Sequence, residues 1–171
     1  MTTKTKVITV KGDPINLLGN QLDVGQEAPD FTVLDNELSP VSLSSFKSKV
    51  CIISALPSLD TPVCDIQTRR FNQEASQLGE NVAILTISMD LPFAQKRWCA
   101  AAGVENLYTL SDHRDASFGN SFGLVIEGLR LLARAVYVLD ADGIIRYQQI
   151  VPELTEEPDY DAAIEAAKKL L

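Results

Sequence analysis

Three cysteines, Cys51, Cys64 and Cys99, and one histidine, His113, hold most of the reactive potential of this 171-residue chain. A cysteine acts as nucleophile or metal ligand through its thiolate, and both roles depend on where the sulfur sits. No two of the cysteines stand in C-x-x-C spacing, and a zinc site would have to gather ligands scattered along the chain, which argues against a metal. Three is also too few and too odd a number for a disulfide scaffold. Cys64 stands apart by its setting. Asp60-Thr61-Pro62 reads as a helix start, with Thr61 able to cap and Pro62 suited to the first helical position. That places Cys64 in the first turn, where unpaired amides and the helix dipole stabilise a thiolate. Cys51 lies inside an apolar run and reads as a small buried hydrophobe.

The elements that must position these residues follow from the pattern of apolar side chains. Residues 4–11 and 15–18, separated by Gly12-Asp13-Pro14, read as an N-terminal β-hairpin, and residues 31–34 as a further strand. Val50–Ala55 is a continuous apolar run of strand length, expected of a strand buried on both faces. The helix that follows shows Val63, Ile66, Phe71, Ala75 and Leu78 as its apolar face and ends at Gly79. Residues 82–89 form the next buried strand, so strand, helix and strand make a βαβ unit with parallel strands and a right-handed crossover. Cys64 then lies just beyond the carboxyl end of a sheet strand, where open α/β sheets place their ligand sites. A second helix, Pro92–Ala102, carries Cys99 and is closed by Gly103. Residues 133–139 and 144–150 flank Asp140-Ala141-Asp142-Gly143, a hairpin signal. A terminal helix presents Tyr160, Ile164, Ala167 and Leu171 on one face. The expected architecture is α/β: a mixed central sheet flanked by helices, compatible with a thioredoxin-like fold and occupying residues 1–171 as one domain.

Three separated motifs carry a family resemblance. Pro57, Thr61 and Cys64 fit Pro-x-x-x-Thr-x-x-Cys, and residues 57–64 as a whole resemble the peroxidatic loop of peroxiredoxins. Residues 88–99, from Ser88 through Asp90 and Pro92 to Trp98 and Cys99, are similar to one branch of that family, as is Leu132-Ala133-Arg134-Ala135-Val136. The branch is the bacterial, atypical two-cysteine peroxiredoxins, the thiol peroxidases, and the resemblance runs nearly end to end. It implies that Cys64 is the peroxidatic cysteine and Cys99 the resolving cysteine of the same chain. It also implies that Thr61 hydrogen-bonds the thiolate and the peroxide, that Pro57 shields the pocket, and that Arg134 holds thiolate and peroxide oxygen. A hydroperoxide substrate, thioredoxin as reductant and a homodimer are implied in the same way; no cofactor is. Cys51 has no counterpart in the family pattern.

Peroxide chemistry asks for more than a reactive thiolate. A thiol whose pKa falls from ~8.5 to ~6 gains about 30-fold in thiolate at pH 7. With a Brønsted slope of ~0.45 its intrinsic nucleophilicity falls about 13-fold, leaving a net gain of about twofold. The catalysis must come from donors aimed at the oxygen that departs with negative charge as O–O breaks. Thr61, the amides at the helix start and Arg134 are the available donors, and arginine brings a permanent charge with donors spread in a plane.

Other functions fit less well. The net charge of −8 and the scatter of basic residues argue against nucleic acid and anionic membrane surfaces. Apolar runs are too short to span a bilayer, and the N-terminus reads as a strand rather than a signal peptide, so the expectation is a cytoplasmic protein. Gly119-Asn120-Ser121-Phe122-Gly123 spells a hydrolase nucleophile elbow, but polar residues precede it and His113 comes before Ser121, not after. A redox sensor or disulfide exchanger using the same cysteines would be expected to carry C-x-x-C. An inert interaction domain leaves the setting of Thr61 and Arg134 without purpose.

Overall fold

The computed structural model describes residues 4–171. Its elements are strands β1 (Lys4–Val10), β2 (Asp13–Leu18), β3 (Thr32–Leu34), β4 (Pro40–Ser42) and β5 (Val50–Ala55), then helix α1 (Pro62–Leu78). Strand β6 (Val82–Ser88), helix α2 (Pro92–Ala102), β7 (Tyr108–Ser111), α3 (Ser117–Phe122) and β8 (Val125–Ile126) follow, and the chain closes with β9 (Ala135–Leu139), β10 (Ile145–Ile150) and α4 (Tyr160–Lys168). A seven-stranded sheet runs in the order β10-β9-β5-β6-β7-β3-β4. Its centre is parallel, with β5, β6 and β7 side by side, and its flanks are antiparallel. The expected βαβ unit is therefore present, and a second one, β6-α2-β7, follows it. The expected hairpins also form: β1 with β2, and β9 with β10. The first turns through Lys11 and Gly12, both at positive φ, the geometry that matches strand twist and that glycine adopts without strain. Strand β8 joins this hairpin as a separate three-stranded sheet.

The alternation of side chains along the central strands builds two cores. Val50 and Ile52 of β5, Ile84 of β6 and Val136 and Val138 of β9 face α1 and α4, meeting Phe71, Leu78, Ala163, Ile164 and Ala167. Cys51, Ile53, Ala55, Leu85, Ile87 and Tyr137 point the other way, toward the hairpin and α3. The mixed sheet with helices on its faces agrees with the thioredoxin-like expectation. Among the described residues no helix is long and apolar enough to cross a membrane.

Two helix faces differ from the pattern read in the sequence. On α1 the buried residues are Cys64, Gln67, Thr68, Phe71 and Leu78, while Ile66 is half exposed to solvent. Gln67 and Thr68 are admitted because their polar atoms are satisfied: Thr68 Oγ1 donates back to the Cys64 carbonyl at 2.9 Å, and Gln67 bonds side chains described below. At the other end, α4 stops at Lys168 and buries Ala163, Ile164 and Ala167; Leu171 lies beyond it and is exposed. The Gly119–Gly123 segment falls within α3 and its cap, not on a strand-to-helix turn. Its first glycine answers to packing, since a Cβ at Gly119 would come within 2.8 Å of both Leu132 and Val125 side-chain carbons.

Candidate active site

The site is built where β5 ends. Leu56 continues alongside β6 by donating its amide to Ile87 O, and residues 57–61 then turn away to start α1. Asp90, at the end of the neighbouring strand, fixes that turn. Its carboxylate accepts from Ser58 Oγ at 2.7 Å, the Leu59 amide at 2.8 Å and Ser88 Oγ at 2.7 Å. Pro57 is buried in the same turn. Thr61 occupies the N-cap position with extended backbone, and its carbonyl accepts the Asp65 amide. Its side chain does not cap the helix, however. The hydroxyl donates to the Ser58 carbonyl at 2.9 Å, tightening the turn instead.

Cys64 therefore sits in the first turn of α1, fully buried in a small apolar cluster with Leu56, Leu59 and the partly buried Trp98. Arg134, just before β9, reaches the same point from the strand next to β5. Its Nη1 lies 3.2 Å from Cys64 Sγ and 2.9 Å from Gln67 Oε1, and its Nε donates to the Leu154 carbonyl at 3.0 Å. Gln67 in turn donates to Ser54 Oγ on β5 at 2.7 Å. Arg134 is only 3 % exposed. None of the ion pairs among the described residues includes it. The buried guanidinium is thus held by a carbonyl oxygen and an amide oxygen, both neutral, with the Cys64 sulfur as its remaining contact.

Cys99 faces a different environment. It lies in the last turns of α2, half-buried, with Sγ 3.3 Å from Thr109 Oγ1, on an open groove of about 250 Å³ that Asp35, Asn36, Glu37 and Tyr108 also line. Burial pushes its thiol pKa up, and the Thr109 contact offsets part of that rise. The structure thus brings Cys64, Arg134, Pro57 and Thr61 to one end of the sheet, and holds Cys99 reduced on the neighbouring helix with its own partner.

The comparisons with known proteins point the same way. A family model described as Redoxin matches residues 23–164. A thiol peroxidase of Halalkalibacterium halodurans is 60% identical over 164 residues, covering 96% of this chain and 98% of that one. One of Bacillus subtilis is 57% identical over 164 residues, with the same coverage. The chain belongs to the redoxin family, among its thiol peroxidases. It is thus a peroxiredoxin-type peroxidase. The fold agrees with that membership: the crystal structure of a peroxiredoxin-like protein from Aquifex aeolicus, 39% identical, superposes with a TM-score of 0.91 over 99% of both chains. A thiol peroxidase from Chromobacterium violaceum, at 19% identity, shares the fold with a TM-score of 0.84 over 95% of each chain.

Within this thiol peroxidase, two residues that join the site carry no expectation from the motifs. Gln67 bridges Arg134 to Ser54, and Asp90 anchors the loop before Cys64. A signal for the first exists in the spacing: Gln67 is three residues after Cys64 and so shares its helix face. The third cysteine is apart from all of this. Cys51 is buried in the opposite core, and burial pushes its thiol pKa up to about 11. It is therefore a neutral thiol at pH 7. Peptide mapping after mild alkylation of the native protein is expected to show Cys51 unmodified until denaturant opens the sheet. Cys51→Ser is expected to keep peroxide turnover and to lose about 1–3 kcal/mol of stability, because a hydroxyl replaces sulfur in a buried site whose only polar neighbours among the described residues are the Phe46 and Lys49 carbonyls, 3.9 and 3.8 Å from the sulfur. Rapid native alkylation of Cys51 would contradict this.

Proposed function

We propose that Cys64 reduces hydrogen peroxide and small organic hydroperoxides through a sulfenic acid, and that Cys99 resolves it as an intramolecular disulfide. The observation that carries this reading is the 3.2 Å contact between Arg134 Nη1 and a buried sulfur at a helix start. The thiolate attacks one peroxide oxygen, O–O breaks, and the departing oxygen leaves as water or alcohol after taking a proton. Arg134 and the first-turn amides oppose the negative charge on that oxygen while it develops. Thr61 joins them if its hydroxyl turns from the Ser58 carbonyl toward incoming peroxide. Pro57 helps to keep water from the pocket. The sulfenic acid then condenses with the Cys99 thiol, expelling water. A dithiol of the thioredoxin type reduces the disulfide and returns both thiols.

The reading extends to a single peroxiredoxin domain acting in the cytoplasm as a homodimer. Ile66, Leu91 and Phe93 are large apolar side chains left exposed on and beside the first turns of α1 and α2, as a subunit contact would require. Sedimentation of the pure chain at a monomer mass of 18.7 kDa at every concentration would remove the dimer.

The experiment that tests the chemistry is one equivalent of peroxide added to reduced protein, followed by peptide mass mapping. A Cys64–Cys99 crosslink is expected within seconds, and repeated turnover once thioredoxin and its reductase are supplied. Failure to form the crosslink would overturn the proposal. Cys99→Ser sharpens it: the first peroxide reaction should survive, while Cys64 accumulates as sulfenic and then sulfinic acid for want of an internal thiol. Clean disulfide formation within a Cys99→Ser monomer would assign resolution to Cys51 instead.

A further inference from the structure

Asp65, the residue after Cys64, and Trp98, the residue before Cys99, are bonded to each other. Trp98 Nε1 donates to Asp65 Oδ1 at 3.1 Å, and Asp65 Oδ2 accepts from Arg69 Nε at 3.0 Å. The Arg69 guanidinium carbon lies 5.6 Å from the centre of the Trp98 ring, and its Nη1 donates at 3.4 Å to the Ala102 carbonyl at the end of α2. The ring itself packs against the Leu56, Leu59 and Cys64 cluster. The first turns of α1 are thus fastened to the last turns of α2 by one indole hydrogen bond, one cation–π contact and one guanidinium–carbonyl bond. The Asp65 and Arg69 side chains are 34 % and 47 % exposed, so each contact is weak enough to open and close on its own.

Adjacent residues of a helix point about 100° apart around its axis. Trp98 takes the direction toward Cys64, and Cys99 takes the direction toward Thr109 and its groove. A disulfide needs Cα atoms within roughly 7 Å and sulfurs facing one another. Turning Cys99 onto Cys64 therefore requires the Trp98 ring to leave the cluster. That movement breaks its bond to Asp65. We infer that the Asp65–Trp98–Arg69 clasp is a latch whose opening sets the rate of disulfide closure, and with it the share of Cys64 lost to overoxidation. This rests on the peroxidase reading of Cys64 and Cys99.

The sulfenic acid on Cys64 has two fates. In closure, the Cys99 sulfur attacks the Cys64 sulfur, S–S forms, S–O breaks, and the hydroxyl leaves as water with the Cys99 proton. In overoxidation, the Cys64 sulfur attacks a second hydroperoxide, O–O breaks, an alcohol or water leaves, and a sulfinic acid remains. Closure is unimolecular and waits for the latch. Overoxidation scales with peroxide concentration, so the two are separable in one experiment. Asp65, Arg69 and Trp98 are positioning residues here: they act through the helices that carry the cysteines.

The test uses the full-length chain, with rapid quenching by alkylation and intact-mass analysis at several hydrogen peroxide concentrations. Trp98→Phe keeps an aromatic, though smaller, ring and removes the donor; Asp65→Ala removes the acceptor that serves both partners. Lys96→Ala, which breaks the surface ion pair of α2 with Glu37, is the control. The peroxide-independent closure rate is expected to rise roughly two- to tenfold in both clasp variants, the factor by which loss of one such hydrogen bond shifts an opening equilibrium. The sulfinic fraction at fixed peroxide should fall in proportion. The double variant should gain little beyond the faster single, because both changes cut the same contact. Lys96→Ala should match the parent chain. Closure that is unchanged or slower in the clasp variants, or equally accelerated in Lys96→Ala, overturns the latch while leaving the peroxidase reading in place. A parent chain that forms no Cys64–Cys99 disulfide removes that reading, and the latch with it.

Discussion

Cys64→Ser is expected to reduce peroxide consumption to the background of unactivated thiols, the largest effect of any single substitution in this chain. Serine matches cysteine closely in shape, but its hydroxyl stays protonated at neutral pH and supplies no comparable nucleophile. The remaining site should stay assembled, because Arg134 keeps its bonds to Gln67 and Leu154 and Asp90 keeps its three donors on the loop. The measurement is peroxide loss in the presence of thioredoxin and its reductase, with a thermal melt of the same sample to show that it is folded. Rapid consumption by folded Cys64→Ser protein would mean that the reaction runs through another residue, and the mechanism would fall.

Arg134→Met is the second largest. On the proposed mechanism it removes the charge that faces the departing oxygen while retaining a long apolar stem, and loss of one such donor costs about 10²–10³ in rate in other enzymes. The effect should fall on the peroxide step in a stopped-flow trace and spare closure of the disulfide. The substitution also leaves Gln67 Oε1 and the Leu154 carbonyl without their donor, so some loss of stability accompanies it. Arg134→Lys separates the two effects. It restores a positive charge but not the planar fork that serves sulfur, amide and carbonyl together, so its rate should lie between those of Arg and Met. A peroxide step within about twofold of the parent in Arg134→Met would take this residue out of the site, since even a weak charge-assisted bond is worth more.

The parts of this molecule legible in its sequence are those where one residue type has few reasons to be where it is. A buried apolar run, a proline at a helix start and a Thr-x-x-Cys turn led to β5, α1 and Cys64, and a short motif around Arg134 led to the guanidinium that meets it. The illegible parts are those where a polar residue is buried because a distant partner satisfies it. Gln67 looks like a surface residue until Arg134 and Ser54 are brought to it, and Ile66 looks like core until the helix turns to accommodate Gln67. Short elements escaped for a different reason. The helix Ser117–Phe122 follows Ala116 in a left-handed conformation, and β8 spans two residues; neither is long enough to show a period. The Trp98–Asp65 contact joins positions 33 apart, which no local pattern reports.

The bond between Arg134 and Cys64 also spans the chain in time. The two residues are 70 positions apart, and a third partner of the guanidinium, the Leu154 carbonyl, comes 20 positions later still. A ribosome therefore delivers the thiol long before the guanidinium that meets it and the carbonyl that holds that guanidinium. Through that interval Cys64 lacks its guanidinium neighbour, since β9 must pair with β5 before Arg134 can arrive. A chain cut short between the two, or stalled there during synthesis, carries the Cys64 thiol without the guanidinium that meets it. The contact between thiol and guanidinium is thus a product of the completed sheet, made only once the last strands are in place.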